Sequence, residues 1–165
     1  MAEIKLVKKY IGQEQAFKNL KDIFALMFHE YRYETQLVLQ NTCVFALKEE
    51  RIEVLLAPYD SINIETFMNK LMYNHYVLKE KVNHEYYRFL VYQNGKIKAV
   101  IHLTTINSRY YNSLLAFERW FKASYQNRNY WNMKMMEYKE KSNGDLAKFH
   151  QKVNKLIKQI IITLE

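Results

Sequence analysis

The chain has 165 residues, 49% hydrophobic and 15% aromatic, with three glycines and one proline, which is the size and apolar content of one compact domain and not of a disordered or low-complexity segment. Lysine and arginine outnumber aspartate and glutamate by 25 to 17, a formal charge of +8, so the surface field favours phosphorylated or acidic partners, although abundant Lys, Asn, Tyr and Ile are also what AT-rich coding produces. Cys43 is the single cysteine, which excludes an internal disulfide framework and points to the cytoplasm; no membrane partner is expected, because "MAEIKLVKKY" lacks a signal-peptide core and no apolar run reaches the roughly 20 residues of a spanning helix.

From Gln13, the residues Ala16, Phe17, Leu20, Ile23, Phe24, Met27 and Phe28 recur at three- and four-residue spacing. This predicts an amphipathic helix to about Arg32. "TQLVLQNT" (Thr35 to Thr42) and "RIEVLLAP" (Arg51 to Pro58) have strand composition, with Pro58 closing the second because proline cannot donate to a ladder. Asp60 or Ser61 is placed to cap a short helix reaching about Tyr73, with Ile64, Phe67, Met68 and Leu71 on its apolar face.

"YVLKEKV" and "YYRFLVY" read as strands, and "KIKAVIHLTT" returns after Asn94-Gly95, a pair that tolerates positive φ and is the strongest short hairpin signal. Beyond Asn107 the pattern is helical. Leu114, Leu115, Phe117, Trp120 and Phe121 make one face; Tyr130, Met133, Met136 and Tyr138 predict a second helix; Asn143-Gly144 then breaks the chain before a third from Asp145 to about Leu164. Strands grouped ahead of helices predict an α+β domain with a mixed or antiparallel sheet of about five strands.

Few residues carry chemistry. The five histidines show no zinc-type spacing, and Gly12, Gly95 and Gly144 are isolated, so no phosphate-binding glycine loop exists. His102 lies in an otherwise apolar strand; such a residue is either a hydrogen-bonded structural histidine or the polar member of a site. Glu50 and Glu53 flank a strand start but fall on opposite faces, so they cannot share a metal, and Glu49 and Glu50 read as a charged turn. Arg109, Arg119, Lys122, Arg128 and Lys134, interleaved with Tyr110, Tyr111, Trp120, Tyr130 and Trp131, form either a basic and aromatic phosphate site or a solvated helix face.

The stretch around His102 resembles the C-terminal half of the GrpB family, whose members have a nucleotidyltransferase-like fold. That family has a strand ending His-Leu-His, then a helix near Leu-Ala-Phe-Arg-Asp-Tyr-Leu-Arg, then Tyr-x-x-Leu-Lys. Here "IHLT" keeps His102 and has Thr104 for the second histidine. "LLAFERWFKA" keeps Leu115, Ala116, Phe117, an aromatic at Trp120 and a cation at Lys122, with Glu118-Arg119 replacing the Arg-Asp pair; "YWNMK" keeps Tyr130 and Lys134. In "FHQKVNKLI", Phe149, Leu156 and Ile157 are in register, while the family's lysine position is Val153. Upstream, the family's Ile-Gly-Ser-Thr-Ala-Val-Pro-Gly-Leu signature falls on "LQNTCVFAL", keeping Thr42, Val44 and Leu47 but with Gln40-Asn41 for Gly-Ser, and Glu53 takes the place of the family's aspartate. Tyr76, Arg88 and Phe89 stand where the family has Leu-Gly-Tyr and Arg-x-Phe-Phe-Arg segments.

The resemblance implies a nucleotidyltransferase-like domain spanning residues 1 to 165, with Glu53 as metal ligand, magnesium as cofactor, and Arg88, His102, Arg119, Lys122 and Lys134 as ligand contacts. Because a Gly-Ser turn admits a triphosphate to the backbone and paired acids hold the metal, its replacement by Gln40-Asn41 leaves two readings open. One is a protein binding a nucleotide or other phosphorylated small molecule, with or without transfer chemistry. The other is a catalytically inactive adaptor whose basic, aromatic surface binds nucleic acid or a protein partner. Strand alternation adds a specific expectation: Ile101 and Leu103 share one face and pack on helices, while His102 shares the other with Val100 and Thr104 and lines a cleft with the Trp120 helix.

Overall fold

A computed structural model describes residues 6–7, 12–39, 46–47 and 51–164, with backbone alone for 6–7 and 46–47. In chain order the elements are β1 (Leu6–Val7), α1 (Gln13–Met27), β2 (Tyr33–Leu37), β3 (Ala46–Leu47), β4 (Ile52–Pro58), a 3-10 turn (Ser61–Asn63), α2 (Ile64–Tyr73), β5 (Val77–Val82), β6 (Tyr86–Gln93), β7 (Lys96–Thr104), α3 (Arg109–Ala123), α4 (Tyr125–Ser142) and α5 (Leu146–Leu164). The fold is α+β, as the element pattern implied. The described residues of Gly12–Val38 and Glu50–Leu114 form one compact unit, and those of Met1–Ile11, Leu39–Glu49 and Leu115–Glu165 form another.

The first unit holds a five-stranded sheet in the order β2-β4-β7-β6-β5. Its neighbours are antiparallel except for β4 and β7, which run parallel. The β6–β7 hairpin turns at Asn94-Gly95 with φ of 54° and 75°, the double positive φ of a two-residue turn. Val54, Leu56, Phe89, Ile101 and Leu103 are fully buried and share one face by their pairing. Tyr33 lies on that face too and meets edge-on Phe28, just past the end of α1, and Phe67 of α2, which stack at 4.1 Å. Thus α1 and α2 cover the Ile101/Leu103 face, because their periodic apolar residues need a partner that only this face supplies.

Two boundaries differ from the pattern reading. Helix α1 ends at Met27, not near Arg32: Phe28 has a non-helical φ of −121° yet is buried, so the apolar periodicity outlasts the helix by one residue. Strand β2 spans Tyr33–Leu37 and stops before Leu39, whose φ of 55° departs from strand geometry; Gln40, Asn41 and Thr42, with Cys43, Val44, Glu49 and Glu50, lie outside the described residues. Asp60 does cap the predicted helix start, accepting the Ile62 amide at 3.0 Å.

The second unit pairs β1 with β3 and packs a helical core of Phe117, Phe121, Trp131, Met135, Phe149, Leu156 and Ile160. The predicted second helix forms as α4, and its apolar residues divide between core and surface. Tyr130, Met133 and Met136 of α4 are 43%, 65% and 50% exposed, whereas Trp131 and Met135 are buried and Tyr138 packs on the core. Helix α4 has apolar side chains all round and almost no amphipathic bias, so spacing alone could not choose its inner face. No helix among the described residues is long and apolar enough to cross a membrane.

Candidate functional site

The sheet face opposite α1 and α2 carries the polar residues. Register places His102 beside Leu55 on β4 and beside Arg88 on β6, while Glu53 pairs with Val100 and Tyr86 with Thr104. Because paired residues point the same way and alternate along each strand, Glu53, Tyr86, Arg88 and His102 share one face. His102 therefore lies opposite Ile101 and Leu103, as strand alternation required.

His102 is 5% exposed, but both its ring nitrogens are engaged by side chains. Nδ1 lies 2.6 Å from the Tyr86 hydroxyl and Nε2 lies 3.0 Å from Glu53 Oε1. A carboxylate only accepts, so Nε2 carries a proton and donates to Glu53, while Nδ1 and the Tyr86 hydroxyl share the second hydrogen bond. The result is a continuous Tyr86 to His102 to Glu53 chain in which both ring nitrogens are engaged. The Tyr86 ring also stacks on Tyr110 of α3, with centroids 5.1 Å apart.

Beside this chain, Arg88 Nε forms an ion pair with Glu80 Oε2 at 3.4 Å without hydrogen-bond geometry. Its terminal guanidinium nitrogens have no partner among the described residues. Thr104, standing where the family resemblance has a second histidine, is buried and structural. Its hydroxyl donates to Glu85 O at 2.8 Å, and Ser108 lies 2.7 Å away while accepting the Tyr111 amide at 3.1 Å, which locks the turn from β7 into α3. A second carboxylate, Glu34, accepts from Tyr111 at 2.8 Å and Tyr59 at 3.2 Å.

Neither Tyr86 nor Glu34 was singled out from sequence. The available signal for Tyr86 was its parity with Arg88 on one strand; only the β6–β7 pairing shows that this parity meets His102.

The other expected contacts belong to the helical unit. Arg119 and Lys122 are exposed on α3. Lys134 is half-buried against the Tyr130 and Tyr138 rings and 3.4 Å from Glu137, an interaction that raises its pKa. Trp131, expected among the exposed aromatic residues, is instead in the core.

For a metal, the donor set fits poorly. Among the described residues no three His, Cys, Asp or Glu side chains converge, and Glu53, the expected ligand, gives an oxygen to His102. Magnesium requires a near-octahedral shell of oxygens, which a single engaged carboxylate does not provide.

Burial pushes the Tyr86 phenol far above its ordinary pKa, and burial together with the Glu34 hydrogen bond pushes Tyr111 up to about 12. The folded protein then keeps protons that the unfolded chain releases near pH 10, so stability is intact below pH 10 and declines as pH rises toward 12. A spectrophotometric titration of the phenolates should show a late class of tyrosines that ionises only with loss of the native circular dichroism signal. Titration of all fourteen tyrosines in one step near pH 10, with the fold intact, would contradict the described burial.

No family model matches the sequence, and no curated protein matches it. Among solved structures, the conserved protein GrpB from Enterococcus faecalis aligns with a TM-score of 0.74, covering 96% of this chain and 96% of that chain at 11% identity. The fold is that of GrpB. The GrpB resemblance read between His102 and Lys134 thus holds as a likeness of architecture across nearly the whole chain. The Tyr86, His102 and Glu53 chain sits on the polar sheet face of this GrpB-like fold.

Proposed function

We propose that this protein binds a nucleotide or another phosphorylated small molecule on the polar sheet face, and that it lacks an efficient nucleotidyl-transfer centre. The supporting observation is the pairing of Arg88 with His102. It sets a half-buried guanidinium, ion-paired through Nε with Glu80, beside an imidazole locked by Tyr86 and Glu53. A planar guanidinium fork matches phosphate oxygens in a bidentate way, and a rigid neighbour lowers the cost of ordering it on binding. Arg119, Lys122 and Lys134 lie in the helical unit, and the reading does not use them. Nucleotidyl transfer requires paired carboxylates around the metal to offset developing charge; Glu53 alone is a weak basis for magnesium, so no chemical step is assigned.

Thermal unfolding with each of the four NTPs at millimolar concentration, with and without magnesium, tests this. A ligand at about ten times its Kd stabilises by about 1.4 kcal/mol, a rise in Tm of roughly 3 to 5 °C for a chain of this size. Arg88→Ala should abolish the rise. No shift with any nucleotide, or an undiminished shift in Arg88→Ala, would remove the reading.

One observation favours the adaptor alternative. Helix α5 carries Lys148, Lys152, Lys155 and Lys158 and no acidic residue. Binding of RNA or DNA there would weaken steeply with salt through counterion release; salt-insensitive or absent binding would leave only a protein partner.

A further inference from the structure

Strands β4 and β7 are parallel neighbours, and the chain leaves them toward opposite faces of the sheet. After β4 it enters α2, whose Phe67 packs with Phe28 and Tyr33 on the Ile101/Leu103 face. After β7 it enters α3, whose first turn lies on the His102 face, with Tyr110 stacked on Tyr86 and Tyr111 bonded to Glu34. Where adjacent parallel strands send their connections to opposite sides, the loops diverge and leave a crevice at the carboxyl ends of the strands. A groove of about 1020 Å³ occupies that position, lined wholly by residues of the sheet unit.

Its floor is held by backbone bonds: Ile106 N–H donates to Pro58 O at 3.1 Å and Tyr59 N–H to Arg32 O at 3.0 Å. The groove therefore exists before any ligand arrives. Its lining holds Arg32 and Arg109, the carboxylates Glu30, Asp60 and Glu85, and His84, which lies 3.2 Å from Glu65. Three carboxylates among two guanidiniums and a histidine leave no excess of positive charge for a polyanion, which separates this groove from a triphosphate or nucleic-acid site. Guanidiniums only donate hydrogen bonds and carboxylates only accept them; a group that does both at one atom, a hydroxyl, suits a lining that holds both kinds. Arg32 lies over the Tyr59 ring, 4.7 Å from its centroid, and makes no ion pair among the described residues. That stacked pair is a flat, partly apolar surface for a ring.

We propose that this groove binds an uncharged ring bearing vicinal hydroxyls, either a nucleoside or a free sugar. Vicinal hydroxyls bridge the carboxylates and guanidiniums, and the ring rests on the Arg32 and Tyr59 stack. The proposal stands apart from the phosphate reading, since it uses none of Arg88, His102 and Glu53.

Titration of the full-length protein, followed by two-dimensional amide NMR, with adenosine, uridine, their 2′-deoxy counterparts, ribose and glucose tests it. The expected result is saturable shifts in residues 59–64 and 105–109, with Kd at or below about 1 mM. Arg32→Ala or Glu85→Gln, both at exposed positions, should weaken binding at least tenfold. A nucleoside ligand is indicated if the 2′-deoxy forms and free ribose each bind tenfold more weakly; a sugar ligand is indicated if ribose or glucose binds as well as the nucleosides. Absence of saturable binding by every compound at about 10 mM, or affinity unchanged in both variants, would overturn the assignment.

Discussion

Phe67→Ala is expected to lower the stability of the sheet unit by about 3 to 5 kcal/mol, the range for removing a buried aromatic ring and leaving its cavity. Phe67 has no exposed surface, stacks on Phe28 at 4.1 Å, and meets Tyr31 and Tyr33 edge-on at 5.5 Å and 6.1 Å. It joins α2, the end of α1 and the start of β2, so no single neighbour can move to fill the space. Urea unfolding monitored by far-ultraviolet circular dichroism reads the loss. A change below about 1 kcal/mol, typical of a surface substitution, would mean that α2 is not seated on the Ile101/Leu103 face. Because the groove at the end of β4 is framed by the entry to α2, the same measurement bears on whether that groove has fixed walls.

Glu53→Ala is expected to cost about 1 to 3 kcal/mol, through an unpaired donor more than through lost contact area. His102 is buried and its Nε2 proton points at Glu53 Oε1, 3.0 Å away; with alanine at position 53 that proton has lost its acceptor. Glu53→Gln retains a carbonyl oxygen there and should recover at least half of the loss. Imidazole nitrogen shifts in labelled protein provide an independent readout: the wild type should show the Nε2–H tautomer, and Glu53→Ala should disturb it. Equal stabilities for wild type and Glu53→Ala, with an unchanged His102 spectrum, would refute the hydrogen-bonded chain.

Much of the local structure was legible. The apolar spacing from Ala16 to Phe28 and from Ile64 to Leu71 marks two helices, and Leu20, Phe24, Phe28, Ile64, Phe67 and Leu71 are buried as it implies, while Ile23 stays 45% exposed. Asn94-Gly95 turns where two residues of positive φ are needed. The opposition of His102 to Ile101 and Leu103 follows from a side-chain period of two, which no tertiary context can change. Helix α4 shows the limit of the method, because Tyr130, Trp131, Met133, Met135 and Met136 ring the helix and leave its inner face to be chosen by the partners that pack on Trp131.

The sequence by itself determined the alternation that keeps His102 off the helix-covered face, the hairpin that delivers β7, and the presence and order of the helices, because each depends on residues within a few positions of one another. Only the tertiary structure decided that Tyr86 and Glu53, from strands on either side of β7, meet the two nitrogens of His102. It alone decided that β4 and β7 lie parallel and release their connections to opposite faces. Both depend on pairing between distant segments. Which strands pair is settled by the burial of whole faces at once, an energy shared among many residues and written in no short stretch of the chain.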